Sequence, residues 1–337
     1  MTIISISNNY GSNYDGIGKY AKYVYGALDK DLYRVVSFTS YCETNSGIKK
    51  IFSMGMSYAI FKAIRFMCKH KTDIVIIEYP FVEWNPFFCV IYMLMCAITL
   101  IKNVKVFISV HEYSRSRSFR KLVTIYLCFL ASGVVASEDI NINLLRKFNN
   151  NVKRIIIPAN FYSSYDTNKL KKRQYVYFGL INGTKAFQEM LEAWNRFNKL
   201  NKYKLYILSS TDISVDCSNG VIFKKNLSDT EISYFMAESL FAVLPIKPQI
   251  DEKNSTFKAA CLSGCISLGV FCEKYKNLEF VLNGENNSVD KWYELFCHSE
   301  KLCNMADCQK LCAQSYEYSK QYSIDFSAAN LDKCLRG

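Results

Sequence analysis

Short runs of β-branched and aliphatic residues alternate along this chain with stretches whose apolar positions recur every three or four residues. In the first half the runs fall at 2–7, 34–39, 73–79, 104–110, 133–137 and 153–157. After the first run, Ile17, Tyr20, Ala21, Val24, Ala27 and Leu28 share one helical face, while Lys19, Lys22 and Lys30 fall elsewhere. This alternation predicts a parallel sheet with crossover helices.

From 158 to 173 the pattern lapses into polar, serine- and lysine-containing sequence, and a new strand pattern begins at 174–179. The second half repeats the alternation, with strands expected at 204–208, 221–223, 240–244 and 265–269 and helices at 185–199 and 228–237. The fold class expected is therefore α/β, two Rossmann-like domains facing each other across a cleft. Residues 1–160 and 161–320 are the expected domains. Beyond them, 321–337 is expected to be a C-terminal helix packing back across the hinge. The stretch from Asn304 onward reads as helix, with Tyr316, Tyr318, Tyr322, Phe326 and Leu331 as apolar anchors.

Composition agrees with two cores. The chain has 337 residues, longer than the roughly 250–300 at which a single core stops growing. Half of the residues are hydrophobic. The N-terminus carries no basic flank, sustained apolar run or small-residue cleavage site, so a cytoplasmic protein is expected. Fourteen cysteines without framework spacing then read as reduced thiols. Cys297, Cys303, Cys308 and Cys312 lack a C-x-x-C pair and sit in helix-like sequence, which argues against a zinc site.

The formal charge of +12 favours phosphates, nucleic acids or an anionic bilayer face. Dispersed cations and the absence of a recognition motif argue against nucleic acid. The apolar run 87–101 is shorter than the roughly 20 residues a spanning helix needs, and reads as a buried or membrane-facing helix.

Several segments could carry chemistry. Asp15-Gly16-Ile17-Gly18-Lys19 opens the first helix, and Gly16, Gly18 and Ala21 formally satisfy a dinucleotide fingerprint. However, 8–15 separate the glycines from the first strand, and no acidic residue ends the second strand to hold a ribose. The segment suits one wall of a cleft, where glycines let amides approach a ligand; a tight turn without a ligand is the plainer alternative. His111-Glu112 stands at the end of a strand, where ligands gather in open α/β sheets. His111 could donate to a sugar hydroxyl or move a proton, or it could simply hold a neighbouring loop.

In the second half, Gly179 to Lys185 is a strand end, glycine-containing loop and helix start, from which Lys185 could reach a diphosphate. Asn254, Ser255 and Thr256 are suitable helix caps, so the helix they open presents amides to an anion. Asp251 and Glu252 precede it and could accept from donor-sugar hydroxyls, or form a charged surface loop. Asp29-Lys30-Asp31 has a metal-binding D-x-D spacing but closes a helix.

Taken in order, these pieces resemble the GT-B glycosyltransferases, particularly the retaining family 4 enzymes, over nearly the whole chain. Asp15-Gly16-Ile17-Gly18-Lys19-Tyr20 is similar to that family's G-G-I-G-R-Y loop. Val134-Val135-Ala136-Ser137-Glu138 is similar to its V-S-E strand end, and Ile155-Ile156-Ile157-Pro158-Ala159-Asn160 to its V-I-P-N-G-V hinge. Gly179 to Lys185 is similar to its G-R-x-x-x-x-K-G segment. The resemblance implies a nucleotide-diphosphate-sugar donor in the second half and a glycan or polyprenyl-diphosphate-linked acceptor in the first, without cofactor or metal. It assigns Gly16, Gly18 and Lys19 to the acceptor-side loop, and His111 and Asp251 to catalysis. Lys185, Asn182, Asn254, Ser255 and Thr256 fall to donor binding.

Two positions depart from the family. Leu180 stands where its arginine follows the glycine, and Ala259 aligns with the second glutamate of E-x7-E. These departures motivate the alternative of a non-catalytic binding protein. A peripheral contact with the anionic inner membrane face completes the expectation.

Overall fold

The computed structural model describes residues 1–8, 16–39, 41–44, 47–50, 55–80, 87–111, 113–114, 116–159, 161–183, 185–212, 214–252, 254–303 and 307–336. It divides into two compact units, Met1–Pro158 with Ile324–Gly337, and Ala159–Ser323.

The first unit runs β1 (Thr2–Ser7), α1 (Gly16–Gly26), β2 (Arg34–Thr39), β3 (Tyr41–Thr44), β4 (Gly47–Lys50), α2 (Met56–Lys69), β5 (Ile74–Tyr79), α3 (Phe87–Ile101), β6 (Lys105–Val110), α4 (Ser118–Leu130), β7 (Gly133–Ala136), α5 (Asp139–Leu145) and β8 (Val152–Arg154). Its parallel sheet has the order β2-β1-β5-β6-β7-β8, and β3 and β4 form a separate antiparallel pair. All of β5 is buried, as expected of a strand with helices on both faces. One layer packs Ile4, Ile6, Val75 and Ile77 of the sheet against α2, α3 and α4. The opposite layer packs Ile3, Ile74, Ile76 and Phe107 against Tyr20, Val24 and Tyr25 of α1.

The second unit runs β9 (Lys172–Phe178), α6 (Phe187–Phe197), β10 (Leu205–Ser209), β11 (Val221–Lys225), α7 (Asp229–Glu238), β12 (Ser239–Leu244), α8 (Ser255–Leu262), β13 (Ile266–Gly269), β14 (Val281–Asn283), α9 (Val289–Cys303) and α10 (Cys308–Ser319). Its parallel sheet has the order β11-β10-β9-β12-β13-β14. Phe187, Met190, Leu191, Trp194 and Phe197 recur at helical spacing on α6 and enter a core shared with Tyr175, Trp292 and Phe296. Burying each such side chain contributes about 1.5–3 kcal/mol. Ser228 and Glu231 form a reciprocal capping box at the start of α7. Cys297, Cys308 and Cys312 belong to this core, and Cys308 donates its thiol to Leu302 O. Thus they serve packing.

The C-terminal stretch is not one continuous helix. After α10, a 3-10 turn (Lys320–Tyr322) precedes α11 (Ile324–Arg336), which returns to the first unit. Leu331 and Leu335 of α11 enter the layer under α1, and Tyr33 donates to Asp332. Phe326 is not an anchor, because its position on α11 faces outward and leaves it half exposed. Asn304 lies outside the described residues.

Candidate functional site

The strand order of each parallel sheet reverses once. In the first unit the reversal lies between β1 and β5, and in the second between β9 and β12. The carboxyl ends of strands at such a point form a crevice suited to ligands.

At the first reversal, Glu78 interrupts the otherwise apolar run of β5 and is fully buried. The register sets it opposite Ser109 of β6. His111 follows β6 directly, and its Nε2 lies 2.7 Å from Glu78 Oε2 and 3.2 Å from Ser109 Oγ. The carboxylate can only accept, so Nε2 is the donor of this contact. Tyr25 of α1 donates to the other carboxylate oxygen, Oε1. Tyr20, one turn earlier, sets its ring edge-on to His111 at 5.4 Å between centroids. Burial, with Glu78 nearby, raises the Tyr20 phenol well above its ordinary range, so it stays a neutral hydroxyl.

The sequence drew attention to His111 by its position at a strand end. Tyr20 reads from the sequence only as part of the α1 face and its loop, and Glu78 and Tyr25 went unnoticed, although one acid inside a buried apolar run is a signal that it has a partner.

Neighbouring contacts fix the frame around His111. Asn8 donates to Pro80 O across the reversal at 3.3 Å. Glu138, the acid of the V-S-E-like segment, accepts from Asn141 at 2.7 Å, and Asn141 accepts from Ser114 N at 2.9 Å. Hence Glu138 holds the turn that follows His111. Gly16 and Gly18 lie in the first turn of α1, where amides have no intrahelical acceptor. Lys19 stands over the Tyr23 ring at 6.0 Å. Asp15 and Glu112 lie outside the described residues. Asp31 N donates to Asp29 Oδ1 at 2.9 Å, so the D-x-D spacing forms a local turn.

At the second reversal, β9 is followed directly by Gly179, whose φ of +138° is open to glycine alone. A side chain built on Gly179 would lie 3.7 Å from Thr256 Oγ1, which puts this strand end beside the start of α8. Asn254 caps α8 by accepting from Phe257 N at 2.7 Å.

Lys185 is brought to the same strand ends through backbone bonds. It bridges Ile246, and Ala186 N donates to Pro245 O at 2.7 Å. Asn182 O accepts from Lys185 N at 3.0 Å. The half-buried Lys185 amine is held below the usual lysine range by desolvation alone, with no charged partner acting on it among the described residues. Such a cation is poised for an anion.

Asp251 follows the Ile250–Phe271 bridge, and its carbonyl accepts from Asn254 N at 3.0 Å. Glu252 is ion-paired with Lys274. The structure therefore gathers Gly179, Lys185, Asn254 and Thr256 around the ends of β9 and β12. His111 belongs to the other unit.

The two departures have different surroundings. Leu180 is half exposed, with its carbonyl accepting from Tyr177. Ala259 is fully buried among Phe161, Met236 and Leu262. Lys258, next to Ala259, is buried with its amine 5.1 Å from the Tyr322 ring centroid.

Solved structures share this fold. A sucrose-phosphate synthase from Thermosynechococcus elongatus superposes with a TM-score of 0.70 at 12% identity, covering 100% of this chain and 98% of that one. The shared fold is GT-B. An alpha-glucosyltransferase in complex with UDP-glucose and abasic-site DNA gives 0.68 at 14% identity, with both chains covered in full. A glycosyltransferase from Rickettsia africae ESF-5 gives 0.66 at 16%, covering 99% and 97%. No family model matches the sequence, and no curated protein matches it.

Proposed function

We propose that this chain is a metal-independent, retaining glycosyltransferase. It moves a hexose-type sugar from a nucleotide-diphosphate sugar to a glycan or polyprenyl-diphosphate-linked acceptor, in the assembly of a surface polysaccharide such as lipopolysaccharide. The observation that carries the reading is Lys185, a desolvated cation at the strand reversal of the second unit with no charged partner among the described residues. Charge developing on a departing diphosphate is offset by this amine and by the first-turn amides of α8, with Asn182, Ser255 and Thr256 lining the donor. Asp251 accepts from the donor-sugar hydroxyls. In the first unit, His111, oriented by Glu78, serves the reacting centre, and Gly16, Gly18 and Lys19 face the acceptor. The solved UDP and UDP-glucose complexes of the alpha-glucosyltransferase support a nucleotide-sugar donor.

Release of nucleoside diphosphate from UDP-, GDP- and dTDP-sugars with a polyprenyl-diphosphate glycan acceptor tests it. Wild type should turn over one donor, and Lys185→Ala and His111→Ala should each lose most of that turnover. Donor binding without turnover of any donor would sink the enzymatic reading. A non-catalytic GT-B-like binding protein would then stand, a reading favoured by the apolar surroundings of Ala259.

A further inference from the structure

Helices α2, α3 and α4 pack on one face of the first sheet and contain no acidic residue between them. Their outer surface is unusually apolar. Ten of the nineteen exposed large hydrophobic residues of the described chain lie on these three helices.

The central helix, α3, is apolar all round. Its inner side places Phe88, Tyr92, Met95 and Cys96 in the core. Its outer side carries Val90, Met93, Leu94, Leu100 and Ile101, with Leu100 82% and Ile101 86% exposed. A helix apolar on every side normally has no aqueous face. At 15 residues α3 is too short to span a bilayer, and among the described residues no helix is long and apolar enough to cross a membrane.

Helix α4 extends the same surface, held against α3 by hydrogen bonds from Tyr92 to Leu127 O and from Tyr126 to Cys89 O, both 2.9 Å. It adds Leu122 and Phe129, 65% and 74% exposed. Cations border the apolar stripe: Arg65 and Lys69 on α2, Lys102 just after α3, and Arg120 and Lys121 on α4. None of these five has a carboxylate partner among the described residues.

We propose that the outer face of α2, α3 and α4 docks on an anionic lipid bilayer, its aliphatic side chains entering the headgroup–acyl boundary and its cations meeting lipid phosphates. Charge selects this occupant. A second copy meeting this face through a two-fold axis would bring cations against cations. Nucleic acid would satisfy the cations but leave the aliphatic stripe against phosphates and water. The inference does not require sugar transfer, and its test is independent of turnover.

Flotation with vesicles of phosphatidylcholine alone, and of an equal mixture of phosphatidylcholine and phosphatidylglycerol, decides the matter. The protein should float with the anionic vesicles, not with the neutral ones, and rising salt should weaken binding. Each surface cation near anionic lipid is worth about a fivefold change in affinity. Arg120→Glu/Lys121→Glu should therefore weaken binding by at least about tenfold. Met93→Glu/Leu94→Glu should abolish it. Both pairs are at least partly exposed, so thermal unfolding midpoints should stay near wild type.

Absence of binding to anionic vesicles overturns the proposal. So does equal binding to both vesicle types, or unchanged binding by both variants. A concentration-dependent dimer dissolved by Met93→Glu/Leu94→Glu, with no vesicle binding, would assign the face to self-association instead.

Discussion

Glu78 and His111, 33 residues apart in sequence, meet through a 2.7 Å hydrogen bond between Oε2 and Nε2 with neither side chain open to water. Tyr25 of α1 donates to the other carboxylate oxygen, Oε1. A group so enclosed cannot exchange a lost partner for solvent. Glu78→Gln replaces one acceptor oxygen with a donor, and Tyr25 or His111 then faces it. The expected cost is about 1–3 kcal/mol in denaturant unfolding. If His111 serves transfer, turnover should fall with it.

Lys185 offers the opposite balance between stability and binding. Its folded pKa is lowered, so between that value and the ordinary lysine value the unfolded chain holds the proton more tightly. The burial of charge therefore costs stability at neutral pH, a cost relieved as pH rises through the folded pKa. Lys185→Met should leave the unfolding midpoint unchanged or raised. Nucleoside diphosphate affinity should nevertheless fall on the order of 10- to 100-fold, measured by calorimetry. In wild type that affinity should fade on the alkaline side earlier than in Lys185→Arg, whose guanidinium keeps its charge.

Gly179 carries φ of +138° at the end of β9, beside Thr256. Gly179→Ala has room for its methyl but not the backbone conformation for it. A loss of about 1–3 kcal/mol in unfolding free energy is expected.

Ala259 cannot simply be returned to the family's glutamate. Its side chain points into a cluster of Phe161, Val176, Met236 and Leu262. Ala259→Glu would bury an unpaired carboxylate, costing about 3 kcal/mol or more, and should unfold the second unit at lower denaturant without improving donor affinity.

Glu238 supplies acid sensitivity. Lys169 and Lys172 both reach its carboxylate, Lys172 at 2.6 Å, and hold its carboxyl below the usual range. The stability it contributes is complete above the unfolded carboxyl pKa of about 4.3 and is lost as pH falls through the lowered folded value. Glu238→Gln should flatten the acid limb of the unfolding midpoint plotted against pH.

Much of the architecture was legible because parallel strands with helices on both faces are apolar along their whole length. Strands β1 and β2 match their expected limits of 2–7 and 34–39 to the residue. The β3–β4 pair was not read, since Tyr41–Thr44 and Gly47–Lys50 hold mixed polar residues with no sustained period. β14 was missed because three residues are too few to show one. The helix of 87–101 reads from the sequence as buried or membrane-facing; in the structure its inner side is core and its outer side is exposed.

Local periodicity, then, determined which segments are strands and helices, and with them a class of two Rossmann-like α/β halves, because repeated apolar spacing is a property of neighbours in the chain. It also drew attention to His111 and Lys185 through their places at strand and helix ends. Only the tertiary structure decided that Glu78 and Tyr25 hold His111, that Lys185 sits desolvated against the ends of β9 and β12, and that Ala259 is sealed in a core. Those facts depend on strand order, which pairs β5 with β6 and β9 with β12 across intervening helices. Sequence spacing carries no record of that pairing.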